Sequence, residues 1–170
     1  MSIEKYALWF LKYYVPVMVA NGFPVLVKGT HRIDRDLDFL DKKPIFGRNK
    51  TIEGFIFGLI GAYIAASSIS IVFLDLALVP LLTGVGLFAL LGDLVGAFVK
   101  RRLGIKPGSP APILDQLDFL LMSTLFYYLA GVEEVVNNAH YVVITLLFIA
   151  GLHVFTNYIA YTLGLKQTKL

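Results

Sequence analysis

Long apolar stretches alternate with short polar connections along the chain, and this pattern predicts helices that cross a membrane. A hydrocarbon core of about 30 Å requires about 20 apolar residues per helix. Residues 54–74 and 135–165 contain no Asp, Glu, Lys or Arg, and residues 76–99 contain only Asp93. We therefore predict one all-α integral membrane domain with five spanning helices, at about residues 5–27, 54–74, 76–100, 113–132 and 137–165.

Composition agrees with a membrane protein. Of the 170 residues, 57% are hydrophobic and 16% are charged, whereas soluble domains carry roughly a quarter charged residues. The absence of cysteine excludes thiol catalysis and Cys-based metal sites. The net charge of +3 does not require a nucleic-acid partner, because the loops lack the interleaved aromatic residues of a single-strand binder.

Basic residues gather in the two longer connections and predict the orientation of the chain. Residues 28–53 carry seven Lys and Arg, residues 100–114 carry four, and the tail carries Lys166 and Lys169. Because Lys and Arg are enriched in cytoplasmic loops, we predict cytoplasmic loops at 28–53 and 101–112, an outer N-terminus and a cytoplasmic C-terminus. The aromatic side chains of the first helix predict a belt at the outer membrane surface: Tyr6, Trp9, Tyr13 and Tyr14.

The first basic loop has two parts. Residues 32–43, "RIDRDLDFLDKK", place Ile33, Leu37 and Leu40 at helical spacing, which favours a short amphipathic helix on the membrane surface. Residues 43–55, "KPIFGRNKTIEGF", lead through a turn into the second spanning helix. Asn49, Lys50 and Thr51 there fit a phosphate cradle at a helix start and equally fit an ordinary capped helix with Thr51 as its N-cap.

Three acidic residues carry the strongest chemical signal. Asp93 lies in an apolar helix, where an ionised carboxylate is costly and usually faces a polar cavity. Asp115 and Asp118 are three residues apart and share a helix face. Helix N-termini favour acids, and a structural Asp93–Lys100 pair is a further alternative. Three carboxylates close together instead suggest a hard cation such as Mg²⁺, with substrate phosphates completing its coordination.

These residues predict metal-assisted phosphoryl or nucleotidyl transfer at the cytoplasmic membrane surface. The alternative is a small transporter or ion-coupled carrier that uses Asp93 as its intramembrane acid. Transport would need access from the outer face, but the remaining acids and bases gather on one face.

Several segments together resemble one known family. Residues 92–108, "GDLVGAFVKRRLGIKPG", with residues 114–119, "LDQLDF", are similar to the signature of the archaeal CDP-archaeol synthases. The segments "NGFPVLVKG", "GRNKTIEG" and "HVFTNYIAYTLGLK" extend the similarity over most of the chain. Such enzymes are Mg²⁺-dependent and transfer CMP from CTP to 2,3-bis-O-geranylgeranyl-sn-glycerol 1-phosphate, an isoprenoid lipid, with release of pyrophosphate.

The resemblance also implies roles for individual residues. Asp93, Asp115 and Asp118 would hold the metal, and Lys100 would act with them in catalysis. The nucleotide would contact Asn49, Lys50, Thr51, Arg101 and Arg102. Relatives often carry a hydroxyl residue where this chain has Ala97, so any hydroxyl contact there is absent or supplied elsewhere. For Asn157 in the last helix, a lipid contact and a structural hydrogen bond both remain open, while His153 favours the structural role.

Overall fold

The computed structural model describes residues 2–109, 111 and 114–162, with the backbone alone for residues 153, 154, 156, 157, 160 and 161. This part of the chain consists of helices joined by loops and contains no strand, only two isolated bridges. The all-α class is therefore as predicted. The helices are α1 (Ile3–Tyr13), α2 (Val15–Gly22), a 3₁₀ turn (Phe23–Leu26), α3 (Ile52–Val72), α4 (Leu78–Arg102), α5 (Leu114–Leu129), α6 (Glu133–Val136) and α7 (Ala139–Thr162).

Within the described residues, α3 and α4 are the two helices whose length and apolar composition suffice to cross a membrane. The helix predicted at 5–27 is divided into α1, α2 and the 3₁₀ turn. The division follows from Pro16 in the first turn of α2. Proline has no N–H to donate, so it is tolerated at a helix start and interrupts a helix that runs through it. The predicted residues beyond 162 lie outside the described part of the chain.

The first loop does not form the amphipathic helix that we predicted for residues 32–43. Arg35 and Asp36 have positive φ angles of 50° and 61°, which no right-handed helix accommodates. The segment instead pairs with the chain just before α3: Ile33 N–H donates to the Lys50 carbonyl at 3.0 Å. Leu40, one of the apolar residues behind the prediction, is exposed.

The bundle is organised around α4, which packs against α2, α3 and α5. Its residues Leu82, Val85 and Ala89 are fully buried in the shared core. The start of α3 and the start of α5 lie beside the C-terminal end of α4, which ends in three basic residues. Packing of apolar helix faces thus brings three polar helix ends together.

The aromatic residues of α1, together with Tyr14 that follows it, pack into the helical core. Trp9, Tyr13 and Tyr14 are buried, and the Tyr13 ring meets the Tyr127 ring edge-on at 5.4 Å. The hydroxyl of Tyr127 donates to the Tyr13 carbonyl at 2.6 Å. These side chains face α5 and α7 at the point where α1 joins α2, and the outer aromatic belt stays a prediction.

We expect Tyr127→Phe to lower the free energy of unfolding in detergent micelles by about 1 kcal/mol, the usual size of such a bond between membrane helices. The matched control is Tyr128→Phe, since Tyr128 is 43% exposed. Denaturant unfolding of both variants measures the difference. Equal losses from the two substitutions would contradict the role assigned to the Tyr127 hydroxyl.

Candidate active site

A cavity of about 500 Å³ opens where the end of α4 and the start of α5 meet the loop that precedes α3. Asp93, Ala97, Lys100 and Arg101 line it from one face of α4, as their spacing requires. The structure thus brings together six residues that the sequence singled out: Asn49, Lys50, Asp93, Lys100, Arg101 and Asp115. The remaining lining residues are Phe46, Ala97, Pro107, Gly108 and Ser109.

Two lysine–carboxylate pairs cross the cavity. Lys50 Nζ lies 2.5 Å from Asp93 Oδ2, and Lys100 pairs with Asp115 Oδ1. The other oxygen of Asp115 accepts the Ala111 N–H at 2.9 Å. The Asp93–Lys100 pair considered from the sequence does not form, because each side chain finds a partner on a different element. Each pair therefore joins two segments of the site.

Asp118 lies behind the cavity, between α4 and α5. Its carboxylate is 9% exposed and packs directly on Gly96, where a Cβ atom would overlap Asp118 Oδ2. Oδ1 accepts the Phe119 N–H at 2.7 Å, whereas Oδ2 has no hydrogen-bond partner among the described residues. Asp93 and Asp115 each have a lysine partner, so Asp118 is the one of the three acids without an ion pair among the described residues.

Arg101 and Arg102 are adjacent in sequence but occupy different surroundings. Arg101 is 5% exposed and lines the cavity, and its Nε and Nη1 atoms have no hydrogen-bond partner in the described part of the chain. A buried guanidinium without acceptors is costly, so its N–H groups are available to an anion. Arg102 does not line the cavity.

Arg102 fastens the first loop to the end of α4. Its Nη2 donates to the Lys43 and Pro44 carbonyls at 3.1 and 2.6 Å, and its Nε lies 2.9 Å from Asp41 Oδ2. The guanidinium also lies over the rings of Phe39 and Phe98, at 5.1 and 4.5 Å from their centroids. These contacts use the planar fork of arginine and leave Arg102 away from the predicted phosphates.

Asn49 and Thr51 flank Lys50 but differ in placement. Asn49 lines the cavity. Thr51 is the N-cap of α3, and its hydroxyl accepts the Gly54 N–H at 3.2 Å. Thr51 also borders a second, smaller cleft of about 50 Å³. The sequence left two interpretations of this segment, a capped helix start and a phosphate cradle. Thr51 caps the helix, whereas Asn49 and Lys50 line the cavity.

The smaller cleft continues the cavity towards the membrane helices. The two spaces share Asn49, Lys50 and Asp93. Beyond these residues the cleft is mostly apolar and is lined by Pro24, Ile33, Gly54, Phe55, Leu90 and Leu94. The Lys50–Asp93 pair therefore stands between a polar space and an apolar one.

The donor set accommodates a hard cation only with help from a ligand. Among the described residues, no three acids or histidines lie close enough together to enclose a metal ion. Asp93 and Asp115 each lie against a lysine, and Asp118 offers a buried oxygen without a partner. Mg²⁺ is commonly bound by one or two carboxylates together with substrate phosphates, and the residues present fit that mode.

Two features of the site escaped the sequence interpretation. Gly92 and Gly96 let α5 approach α4, since a Cβ atom at Gly92 would lie 2.5 Å from the Asp118 carbonyl oxygen. The signal was available, because "GDLVG" has the small-xxx-small spacing of closely packed membrane helices. No comparable signal marks Phe46, Pro107 and Ser109, which reach the cavity from two different loops.

Comparison with known proteins identifies the family of the chain. Residues 2–170 match the family model described as CarS-like, CDP-archaeol synthase. A CDP-archaeol synthase of Staphylothermus marinus is 48% identical over 161 residues, which cover 95% of this chain and 92% of that protein. One from Sulfolobus acidocaldarius is 37% identical, covering 92% and 94%. A solved structure, described as an intramembrane enzyme for archaeal membrane lipids biosynthesis, has a TM-score of 0.70 and 34% identity, covering 82% of this chain and 90% of its own.

The chain is a helical bundle with a charged cavity at its helix ends, and it is similar to an intramembrane enzyme of lipid biosynthesis. Its named relatives are synthases that transfer a nucleotide, so the chain is a nucleotidyltransferase. The chain belongs to the CDP-archaeol synthase family. The family predicted from the motifs is thereby confirmed.

We expect Arg102→Lys to loosen the first loop, because an ammonium cannot reproduce both carbonyl bonds and the contacts with both rings. The amides of Phe39 and Ile45, which bond within this loop, should exchange hydrogen roughly tenfold faster, as the loss of about 1.4 kcal/mol implies. Hydrogen exchange measured by mass spectrometry tests this. Arg35→Lys, at an exposed position, is the control, and an unchanged exchange rate in Arg102→Lys would refute the anchoring role.

Proposed function

We propose that the cavity binds CTP and that this chain transfers CMP from it to 2,3-bis-O-geranylgeranyl-sn-glycerol 1-phosphate. A phosphate oxygen of the lipid attacks the α-phosphorus of CTP, the bond from that phosphorus to the bridging oxygen breaks, and pyrophosphate leaves. The product is the CDP-activated ether lipid. The family supports the reaction, and the buried, unpartnered guanidinium of Arg101 is the observation that supports this cavity as its site.

The charges of the lining suit a polyphosphate. Lys50, Lys100 and Arg101 contribute three positive charges, and Asp93 and Asp115 contribute two negative charges. The nucleophile is already an anion, so the reaction needs no strong general base. It needs alignment of the two phosphates and neutralisation of charge on the leaving pyrophosphate, and Arg101 with the two lysines supplies both.

A divalent cation fits the same proposal. One or two of the acids Asp93, Asp115 and Asp118 would hold Mg²⁺ together with phosphate oxygens, since the three described side chains do not lie close enough together to enclose the ion themselves. The unpartnered Oδ2 of Asp118 supports a part for that residue. When bound, the ion would add Lewis-acid neutralisation of the phosphate charge. Lys50 and Lys100 contact Asp93 and Asp115. When CTP is bound, these two lysines would contact its phosphates instead.

The membrane setting follows from the same arrangement. We infer that the chain crosses the bilayer five times, with α1, α2 and the 3₁₀ turn forming one passage, and that the cavity faces the cytoplasm. The concentration of Lys and Arg around the cavity supports this orientation. The apolar cleft beside Lys50 and Asp93 would admit the lipid, so that its phosphate reaches the cavity while its chains stay in the bilayer.

The transport alternative has no support. Asp93, its central residue, is paired with Lys50 in the lining of the cavity. The relatives found by comparison are named as synthases. We therefore retain only the enzymatic function.

The purified protein should release pyrophosphate from CTP only when both the isoprenoid glycerol phosphate and a divalent cation are present. Asp115→Asn and Asp118→Asn should each reduce this turnover by at least about 100-fold, since Asp115 lines the cavity and Asp118 carries the unpartnered oxygen proposed to take part in holding the metal. A coupled pyrophosphate assay measures the rate. Asp75→Asn, at the opposite end of the bundle, is the control. Near-normal rates in both test variants would remove these acids from the site.

Arg101→Gln should raise the KM for CTP and lower kcat/KM by about 10- to 100-fold, because a charge-assisted hydrogen bond is worth about 1.5–3 kcal/mol. The KM for the lipid phosphate should change little. Steady-state kinetics with each substrate varied in turn distinguishes the two effects, and Arg35→Gln serves as the exposed control. A larger effect on the lipid KM than on the CTP KM would assign Arg101 to the other substrate.

A further inference from the structure

A carboxylate is buried in the first loop, outside the cavity. Asp34 is 5% exposed and does not belong to the cavity lining. A buried carboxylate is unfavourable unless donors surround it, and here the donors are backbone amides. Oδ2 accepts the N–H groups of Phe46 at 3.0 Å and Gly47 at 2.8 Å, while Oδ1 accepts the Asp36 N–H at 3.3 Å.

These bonds fix one particular turn. Gly47 has a φ angle of 93°, a conformation that favours glycine. Its carbonyl accepts the Lys50 N–H at 3.1 Å, so residues 47–50 form a compact turn. The turn carries Asn49 and Lys50 to the cavity, while Phe46 lines the cavity just before it.

The same turn closes against the other wall of the site. A Cβ atom on Gly47 would lie 3.0 Å from Pro107 Cγ and 3.7 Å from Arg101 Nη1. The backbone of Gly47 thus lies close to both Pro107 of the second loop and the buried guanidinium of Arg101. A shift of the turn would move Lys50 and would alter the space beside Arg101 together.

We propose that Asp34 is a positioning residue for the nucleotide half of the site. It holds the turn at Gly47, and through that turn it sets Lys50 and the wall beside Arg101, without contacting CTP itself. The inference rests on the proposed binding of CTP in this cavity. It goes beyond that proposal because it predicts that Asp34, which contacts neither substrate, affects the binding of CTP and not the binding of the lipid phosphate.

The test compares Asp34→Asn with Asp38→Asn, which removes the same charge from an exposed position in the same loop. Charge-assisted hydrogen bonds are roughly twice as strong as neutral ones, and we expect the KM for CTP to rise about tenfold in Asp34→Asn. The KM for the lipid phosphate should change less than about twofold, and the thermal midpoint should remain that of a folded protein. Asp38→Asn should leave both KM values unchanged.

A double-mutant cycle identifies the route of the effect. Gly47→Ala strains the same turn, so it should raise the KM for CTP as well. If Asp34 acts through Gly47, the double variant should be no worse than the more affected single variant, since coupled sites are not additive. Multiplication of the two single effects would overturn the proposal.

Further results would also decide between the possibilities. An unchanged KM for CTP in Asp34→Asn, or an equal rise in both KM values, would overturn the positioning role. If Asp34→Asn does not accumulate as folded protein, Gly47→Ala replaces it in the test. A rise in the KM for CTP alone would then support the proposal, and an equal rise in both KM values would overturn it. Failure of the wild-type protein to make a CDP-lipid from CTP would instead reject the proposed function.

Discussion

The site depends on how closely α4 approaches α5. Gly92 and Gly96 remove the side chains that would otherwise separate the two helices, and the carboxylate of Asp118 occupies the space above Gly96. Without this approach Asp118 would face lipid or solvent, and the first turn of α5 would not bring Asp115 to Lys100. A steric property of two glycines therefore decides where two of the three acids lie.

The electrostatic consequences follow from that packing. Charged groups near a bilayer are costly unless they meet partners or water, and most of the charges at this end of the bundle meet partners. Lys50 joins the loop to α4, Lys100 joins α4 to α5, and Arg102 joins α4 back to the loop. These pairs hold three segments in place. Arg101 lines the cavity without such a partner among the described residues, and this points to an anionic ligand.

The sequence alone was enough to predict the helical class and many residues of the candidate site. It was not enough to predict which of these residues contact one another. Apolar runs and the position of Asp93 needed only hydropathy and spacing, and the family motifs supplied the reaction. The difference between Arg101 and Arg102 could not be foreseen, because adjacent helical residues point about 100° apart and only the packing of α4 decides which faces the cavity.

The fold of the first loop was likewise hidden, since its helical spacing of apolar residues is overridden by the buried carboxylate of Asp34. The pairing of Asp93 with Lys50 joins residues 43 positions apart, a distance at which spacing carries no information.

The entry of lipid that we propose through the apolar cleft beside Lys50 and Asp93 has a kinetic consequence. A substrate that enters from the side never dissolves in bulk water, so its encounters with the site take place in two dimensions. Its effective concentration is then its mole fraction among the other lipids, and diluting the membrane with inert lipid slows the reaction even when the total amount of substrate is constant. CTP, which arrives from water, follows ordinary volume concentration, so the two substrates of one reaction are governed by different concentration scales.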